Sequence, residues 1–321
     1  MSTSEHASIV ERADRWQRDN RASAVAVATA KKFIEDHSTN LAALLAFWGF
    51  FSIFPLLLVA ATLLGWFLPS DVSADVLDSI GSYVPLIDFT SEGISGSWWA
   101  LALGLVSALW GASSVTRTAR FAFDSAWEVP YVARAGVVRQ TLDGLTAIGL
   151  VGVALVASIF ITGVVAGTSS ELDIGALGRV AGFLIAILVD VIAFVVAFRL
   201  LTSRDVSTRD VLPGAVLAGV GFFVLQSLSS LIISRYLQNA QSTYGNFATV
   251  ITILWWFYLA GILTLLGAQL NVVLRERLWP RSLGGGPSTP ADRRALEAYA
   301  QERTYAEEQE VKAHFGRPRS P

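Results

Sequence analysis

Six long apolar stretches constrain the fold of this chain more than any other feature. They lie near residues 41–68, 95–115, 142–167, 178–201, 211–234 and 247–274. Each can cross a hydrocarbon core about 30 Å thick, which takes about 20 helical residues. Backbone polar groups in lipid must be satisfied within the element, and these stretches lack the alternation of barrel strands. The sequence therefore predicts an all-α polytopic membrane protein with six transmembrane helices.

The composition excludes most other protein classes. Hydrophobic residues make up 53% of the 321 positions and charged residues only 16%, whereas a soluble domain carries about 25% charged residues. Cysteine is absent, and the three histidines, His6, His37 and His314, lie far apart. We therefore expect no disulfide, no thiolate or histidine metal site and no cofactor.

Lysine and arginine are concentrated on one side of the predicted bundle. If both termini share a side, 22 of the 24 basic residues lie there, and the positive-inside rule makes this side the cytoplasm. The first and third connecting loops are acidic; their acids are Asp71, Asp75, Asp78, Asp88, Glu92, Glu171 and Asp173. The apolar stretches and the distribution of charge together divide the chain into a cytoplasmic N-terminal segment (1–40), a six-helix transmembrane domain (41–274) and a cytoplasmic polar tail (275–321).

Two connecting segments have patterns of their own. In 72–84, apolar residues recur at helical spacing and are interspersed with Asp75 and Asp78, which predicts either an interfacial helix or a loop helix packed on the bundle. On the inner side, Arg120 and Asp124 are spaced to pair across one helical turn. The neighbouring arginines either contact anionic lipid headgroups or only set the topology.

The tail contains one helix signal. Thr289, Pro290 and Asp292 have the spacing of a capping residue, a first-turn proline and an acidic third position. A polar helix through about Val311 is predicted, connected by the flexible segment GGGP at 284–287. We expect this tail to be solvated and mobile, partly helical or disordered, and not a second domain.

Asp190 is the one carboxylate deep within a predicted span. A charge at the middle of the bilayer costs a few kcal/mol, so such a residue faces the bundle interior, a cavity or a partner. One interpretation is a proton or cation relay or a substrate contact. The other is a protonated or hydrogen-bonded aspartate that fixes helix packing.

Other candidate positions lie in the first and last spans. Pro55 interrupts the first span and predicts a bend. The sixth span carries Trp256, Tyr258, Gln269 and Asn271. Such groups either line a path or form hydrogen bonds between helices, and the second interpretation needs fewer assumptions.

Motifs of soluble enzymes are missing from the sequence. It contains no Walker loop, no nucleotide-binding glycine fingerprint, no GxSxG elbow and no HExxH. Basic residues are spread along the inner edges, where membrane orientation already explains them, so no nucleic-acid partner is expected. We therefore expect a protein that is not an enzyme.

Three segments resemble the YihY/BrkB family of bacterial inner-membrane proteins. They are LPGAVLAGVGFF at 212–223, TYGNFATVITILWWFYLAGILTLLGAQLNVVL at 243–274 and NLAALLAFWGFFSIFPLLL at 40–58. The second segment contains the pair Tyr244 and Gly245 near its start. The resemblance implies a six-helix protein of the plasma membrane with both termini in the cytoplasm. The family usually has Glu where this chain has Gln269, so a titrating carboxylate at that position cannot belong to its mechanism.

The resemblance also carries functional labels. One is ribonuclease BN, which conflicts with this sequence because those enzymes use a soluble two-metal fold with paired histidine ligands. The resemblance also implies movement of a lipid or an amphipathic envelope precursor, with membrane lipids as partners. The alternative is a non-transporting scaffold that binds envelope proteins or a second copy of the chain.

Overall fold

The computed structural model describes residues 14–67, 98–134, 136–167, 175–244, 247–283 and 289–315. Within these ranges every regular element is helical, as predicted. The helices are α1 (Arg21–Glu35), α2 (Ser38–Phe67), α3 (Trp98–Ala126), α4 (Val137–Gly167), α5 (Gly175–Leu200), α6 (Thr208–Tyr244), α7 (Phe247–Arg275) and α8 (Pro290–Glu302). The predicted helix at 72–84 and the acidic loops fall outside the described residues.

Helices α2 to α7 are long, and each overlaps one predicted span. Four of them contain stretches long and apolar enough to cross a membrane, namely Ser38–Leu56, Leu177–Leu200, Thr208–Leu228 and Phe247–Arg275. The apolar stretch of α4 is shorter, Leu142–Ser158, and the second half of α3 carries Arg117, Arg120 and Asp124. The described residues therefore form a helical membrane protein, and the count of six spans stays a prediction.

The six long helices form a closed ring of neighbours. Each of α2 to α6 packs on the next helix in the chain, and α7 packs back on α2. Near the start of α2, Ala42 faces Gly261 of α7, and further along Gly49 faces Phe257. Helices α2 and α7 therefore run antiparallel to each other.

The closest helix contact joins α6 to α7. A Cβ atom added to Gly214 would lie 1.9 Å from the Gly267 carbonyl oxygen, and one added to Gly267 would lie 2.5 Å from the Gly214 oxygen. The Gly214 N–H also donates a buried hydrogen bond of 2.6 Å to Asn271 Oδ1. Small residues allow helices in lipid to approach this closely. Two segments that carry the family resemblance, LPGA and GAQLN, are therefore each other's packing partners.

One end of the bundle is polar. It consists of α1, the 127–136 and 201–207 connections, the segment 276–283 and α8, and we call it the polar end. These parts are tied to one another: the Val132 N–H donates to the Thr304 carbonyl at 3.0 Å, and Arg204 pairs with Glu276 at 3.0 Å. The two chain segments that flank the bundle also meet there, because Lys31 of α1 pairs with Asp292 of α8 at 3.2 Å.

The expectation that the tail is solvated was wrong for one face of α8. The predicted capping box is present: the Asp292 N–H donates to Thr289 Oγ1 at 3.0 Å and the Thr289 N–H donates to Asp292 Oδ2 at 3.2 Å. However, Ala291, Asp292 and Ala295 are buried, and the helix ends at Glu302, before Val311. The polar sequence of α8 did not predict this packing, because the contact is made largely by ion pairs.

Candidate functional site

A fully buried lysine organises the first ionic cluster of the polar end. Lys32, with 0% exposure, pairs with Asp36 at 2.9 Å and also with Glu128. Gln269 Nε2 donates to Asp36 Oδ2 at 2.7 Å and to Ser38 Oγ at 3.1 Å. The amide of Gln269 thus supplies a donor to a carboxylate that already faces a lysine. This cluster joins α1, α2, α7 and the connection after α3.

The protonation states in this cluster depend on burial. Burial raises the pKa of Glu128 to about 7, although the Lys32 ammonium acts against that shift. For Lys32, burial opposes the charged form, but the carboxylates of Glu128 and Asp36 outweigh it and raise the pKa of the lysine. Lys32 is therefore charged throughout the neutral range, and Glu128 is the group of this pair that titrates there.

A second cluster fastens α8 to α1. The buried Arg281 donates to Asp292 Oδ1 at 2.7 Å and pairs with Glu35 at 2.8 Å, while Lys31 reaches Asp292 at 3.2 Å. Burial acts against the charged form of Asp292, but hydrogen bonds from Arg281 and Thr289 outweigh it and lower the pKa to about 2. The tail is therefore held by charges that persist at any physiological pH.

A third cluster lies at the ends of α3 and α5. Asp124 accepts hydrogen bonds of 2.7 Å from both the backbone N–H and the hydroxyl of Ser203. Arg120 donates to the Leu200 carbonyl at 3.0 Å and lies 3.6 Å from Asp143. The predicted pair between Arg120 and Asp124 was wrong, because each of them instead contacts a group that follows in the chain.

The third cluster borders a cavity of about 690 Å³ between α3, α4, α5 and the 201–207 connection. We call it the arginine cavity. Arg120 is only 3% exposed, and its Nε–H has no acceptor among the described residues. Its polar lining comprises Arg120, Asp143, Arg199, Thr202, Ser203, Arg204 and Asp205, and its apolar lining includes Leu150, Val195, Val196 and Val206.

A second cavity is an apolar groove of about 550 Å³ between α2 and α7. Tyr258 and Trp255 line it, with their rings 5.5 Å apart. Trp256 instead points to the bundle interior, where its ring contacts that of Phe222 at 5.6 Å. The remaining lining residues are Ala43, Ala46, Ile251, Thr252 and Leu254.

The structure does not bring the predicted candidates together. Asp190 is buried within α5, apart from Gln269 and Asn271, which lie at the end of α7 close to the polar end. Pro55 lies inside α2, which continues to Phe67. Tyr244 ends α6, and Gly245 lies outside the described residues.

Sequence reasoning missed the buried charges of the polar end. Lys32 and Asp36 are four residues apart in a helical register, which is a signal of a pair but not of burial. Glu128 and Arg281 gave no signal, because Lys32 lies 96 residues from Glu128, and the partners of Arg281 lie 11 and 246 residues away, beyond one helical turn.

Comparisons with known proteins place the chain in a family. Over 247 residues it is 31% identical to the ribonuclease-like protein YfkH of Bacillus subtilis, covering 73% of this chain and 88% of that protein. It is 26% identical to the UPF0761 membrane protein RSc1559 of Ralstonia nicotianae, covering 77% of this chain but only 58% of that longer relative. No solved structure matches.

The match to a family model covers the whole bundle and most of the polar end. That model, described as virulence factor BrkB, matches residues 29–291, from the middle of α1 to the start of α8. The range includes Lys32, Arg120, Asp190 and Gln269, and the matched relatives are mostly named as membrane proteins. The chain therefore belongs to the virulence factor BrkB family of membrane proteins.

Proposed function

We propose that this protein moves a lipid or another amphipathic envelope precursor across or within the plasma membrane. The arginine cavity is the observation that carries the proposal. Its volume of about 690 Å³ falls in the range of small-molecule sites. One part of its wall is charged and the other is apolar, which is the chemistry of an amphipathic molecule.

The charged part of the wall favours an oxygen-rich headgroup. Arg199 and Arg204 are exposed to the cavity, while Arg120 is buried and has one N–H without an acceptor. A buried donor without an acceptor is rare in folded proteins, and a phosphate or hydroxyl oxygen would satisfy it. Leu150, Val195 and Val196 offer the adjoining surface for a hydrocarbon chain.

The sequence contains no ATP-binding motif, so movement would depend on an ion gradient, a partner protein or a downhill substrate gradient.

The apolar groove between α2 and α7 supports the same proposal, because Trp255 and Tyr258 give it an aromatic wall at which an acyl chain would lie.

Reconstitution tests this function directly. Purified protein is placed in liposomes that carry fluorescent phospholipid or glycolipid, and movement between leaflets is followed by chemical quenching of the outer leaflet, with and without a proton gradient. We expect movement faster than in protein-free vesicles. Equal rates for every probe, under both conditions, would contradict the proposal.

Two arginine variants test the cavity. Arg199→Gln and Arg204→Gln should each slow lipid movement roughly tenfold, as the loss of a charge-assisted hydrogen bond of about 1.5 kcal/mol implies. Arg15→Gln is the matched control, since Arg15 is an exposed arginine of the N-terminal segment. Unchanged movement in both cavity variants would exclude the arginine cavity as the path.

The alternative function is a scaffold for envelope proteins or for a second copy of the chain. It is favoured by α8, which buries Ala291 and Ala295 and leaves Leu296 41% exposed. Truncation after Trp279 cannot test it, because the cut removes Arg281 and Asp292 and so disrupts the polar end. Leu296→Ala with Glu297→Lys changes only the outer surface of α8. A loss of cellular function with normal lipid movement would favour the scaffold.

We do not extend the ribonuclease-like name of the Bacillus relative to this chain. Among the described residues no three His, Asp or Glu side chains converge as metal ligands, whereas two-metal hydrolysis holds its ions about 4 Å apart with several ligands. Purified protein should leave RNA intact in the presence of Mg²⁺ or Mn²⁺. Metal-dependent cleavage that is lost when this chain's own carboxylates are substituted would contradict this.

A further inference from the structure

Asp190 is the most anomalous polar residue of the bundle. It lies near the middle of the candidate span Leu177–Leu200, its exposure is 0%, and neither carboxylate oxygen has a well-formed hydrogen bond among the described residues. Buried polar groups in proteins are nearly always hydrogen-bonded. An ionised carboxylate without donors would be strongly destabilising in this environment.

The polar neighbour of Asp190 is Ser158 on α4. The Ser158 hydroxyl donates a long bond of 3.4 Å to the carbonyl of Ala186, one helical turn before Asp190. A hydroxyl can rotate, and it can either accept a hydrogen bond from a protonated carboxyl or donate one to a carboxylate. Ser158 can therefore serve both protonation states of Asp190.

The other helix that packs on this part of α5 is α6, which approaches through Gly219. A Cβ atom added there would lie 2.9 Å from the Val191 nitrogen, so no side chain enters from that helix at this position. The nearest charged groups on α5 are Arg179 and Arg199, 11 and nine residues from Asp190, or more than about 13 Å along the helix. Asp143 on α4 and Asp210 on α6 lie towards the polar end.

We infer that Asp190 is a proton-binding site in the middle of the membrane, at which the carboxyl group releases its proton to water and later regains it. In the described conformation the group holds its proton. After release, the Ser158 hydroxyl turns to the carboxylate. The proposed source of this water is the arginine cavity, which is lined by Val195, five residues from Asp190 on the same helix.

Coupling of this site to lipid movement rests on the proposed function, but proton binding itself does not. A change of charge at Asp190 would alter the contact between α4 and α5, and both helices line the arginine cavity. The proton would thus act on the packing of two helices that line the cavity.

Infrared difference spectroscopy of the full-length protein in lipid bilayers tests the site between pH 4 and 9. We expect a carboxylic C=O band that disappears reversibly as the pH rises. The band should be absent in Asp190→Asn and unchanged in Asp19→Asn, an exposed aspartate. A missing band, or an Asp190 band that does not respond to pH, would overturn the inference.

A second variant guards against misfolding of Asp190→Asn. Ser158→Ala keeps the carboxyl group but removes its hydroxyl partner, so the C=O band should move to higher frequency. An unshifted band would overturn the role given to Ser158. If the band titrates but no lipid moves, the proposed function fails and the proton site stands. If lipid moves at the same rate with and without a proton gradient, the coupling is overturned.

Discussion

At the scale of single residues, Glu128 shows how a buried charge is held. Its backbone lies in the left-handed region, with φ of 47°, a conformation that costs a non-glycine residue about 1–2 kcal/mol. This turn after α3 directs the carboxylate at Lys32. The ion pair with Lys32 offsets only part of the cost of burial, so the pKa of Glu128 stays raised.

A raised pKa for Glu128 makes stability depend on pH with a definite sign. The folded state binds this proton more tightly than the unfolded chain, so the free energy of unfolding should fall as pH rises from about 4.5 to about 7. The decrease due to this group is about 3 kcal/mol at most. Above that window its effect on the slope vanishes.

Thermal unfolding across pH 4.5 to 8 checks this prediction. Glu128→Gln cannot titrate and should lose this part of the slope, whereas Glu297→Gln, at an exposed position of α8, should keep it. Identical pH profiles for the wild type and Glu128→Gln would contradict the assignment.

At the scale of elements, the contact between α6 and α7 shows how two helices come within backbone contact. Pro213 lies inside α6 and has no backbone N–H to donate. The next residue, Gly214, donates its backbone N–H to Asn271 Oδ1 of α7. The absence of side chains at Gly214 and Gly267 lets the two backbones touch. This is the same residue pattern that carries the family resemblance.

Glycine-to-alanine variants should separate close packing from helix propensity. Gly214→Ala places a methyl group against a backbone carbonyl and should destabilise the protein by about 1–3 kcal/mol or more. Gly149→Ala on α4 is the matched control, because its Cβ would meet nothing within 4 Å. The control should be neutral or stabilising by up to about 1 kcal/mol. Equal melting temperatures for the two variants would argue against this packing.

At the scale of the whole molecule, the ring of helices places both flanking segments at the polar end. Most basic residues lie in segments on this same side of the predicted bundle. The positive-inside rule predicts that this side is the cytoplasmic one. The six-span topology and its orientation remain predictions, since the outer loops fall outside the described residues.

Cysteine labelling can establish the topology without background, because the chain has no cysteine. Glu308→Cys, at an exposed position beyond α8, should react only with a reagent present in the cytoplasm. Asp75→Cys, in the acidic first loop, should react with an impermeant reagent added from outside. Reaction of Asp75→Cys from the cytoplasm alone would exclude the six-span arrangement.

The candidate site was only partly predictable. Asp190 was identified from the sequence because a carboxylate within a long apolar stretch stands out whichever face of the helix it occupies. Arg120 was assigned the wrong partner, because spacing within one helix says nothing about the carboxylate that another helix brings closer. Lys32 and Glu128 looked like ordinary polar residues of connecting segments, although both are buried.

The sequence by itself determined that this is an all-helical membrane protein, since hydropathy and length fix which stretches can enter lipid, and it determined where α8 begins, since a capping box is local chemistry. Only the tertiary structure decided that α8 docks on α1, that Gln269 donates to Asp36 and that an arginine cavity opens beside α5. These features depend on contacts between residues far apart in the chain, and no local pattern encodes the distance between two helices.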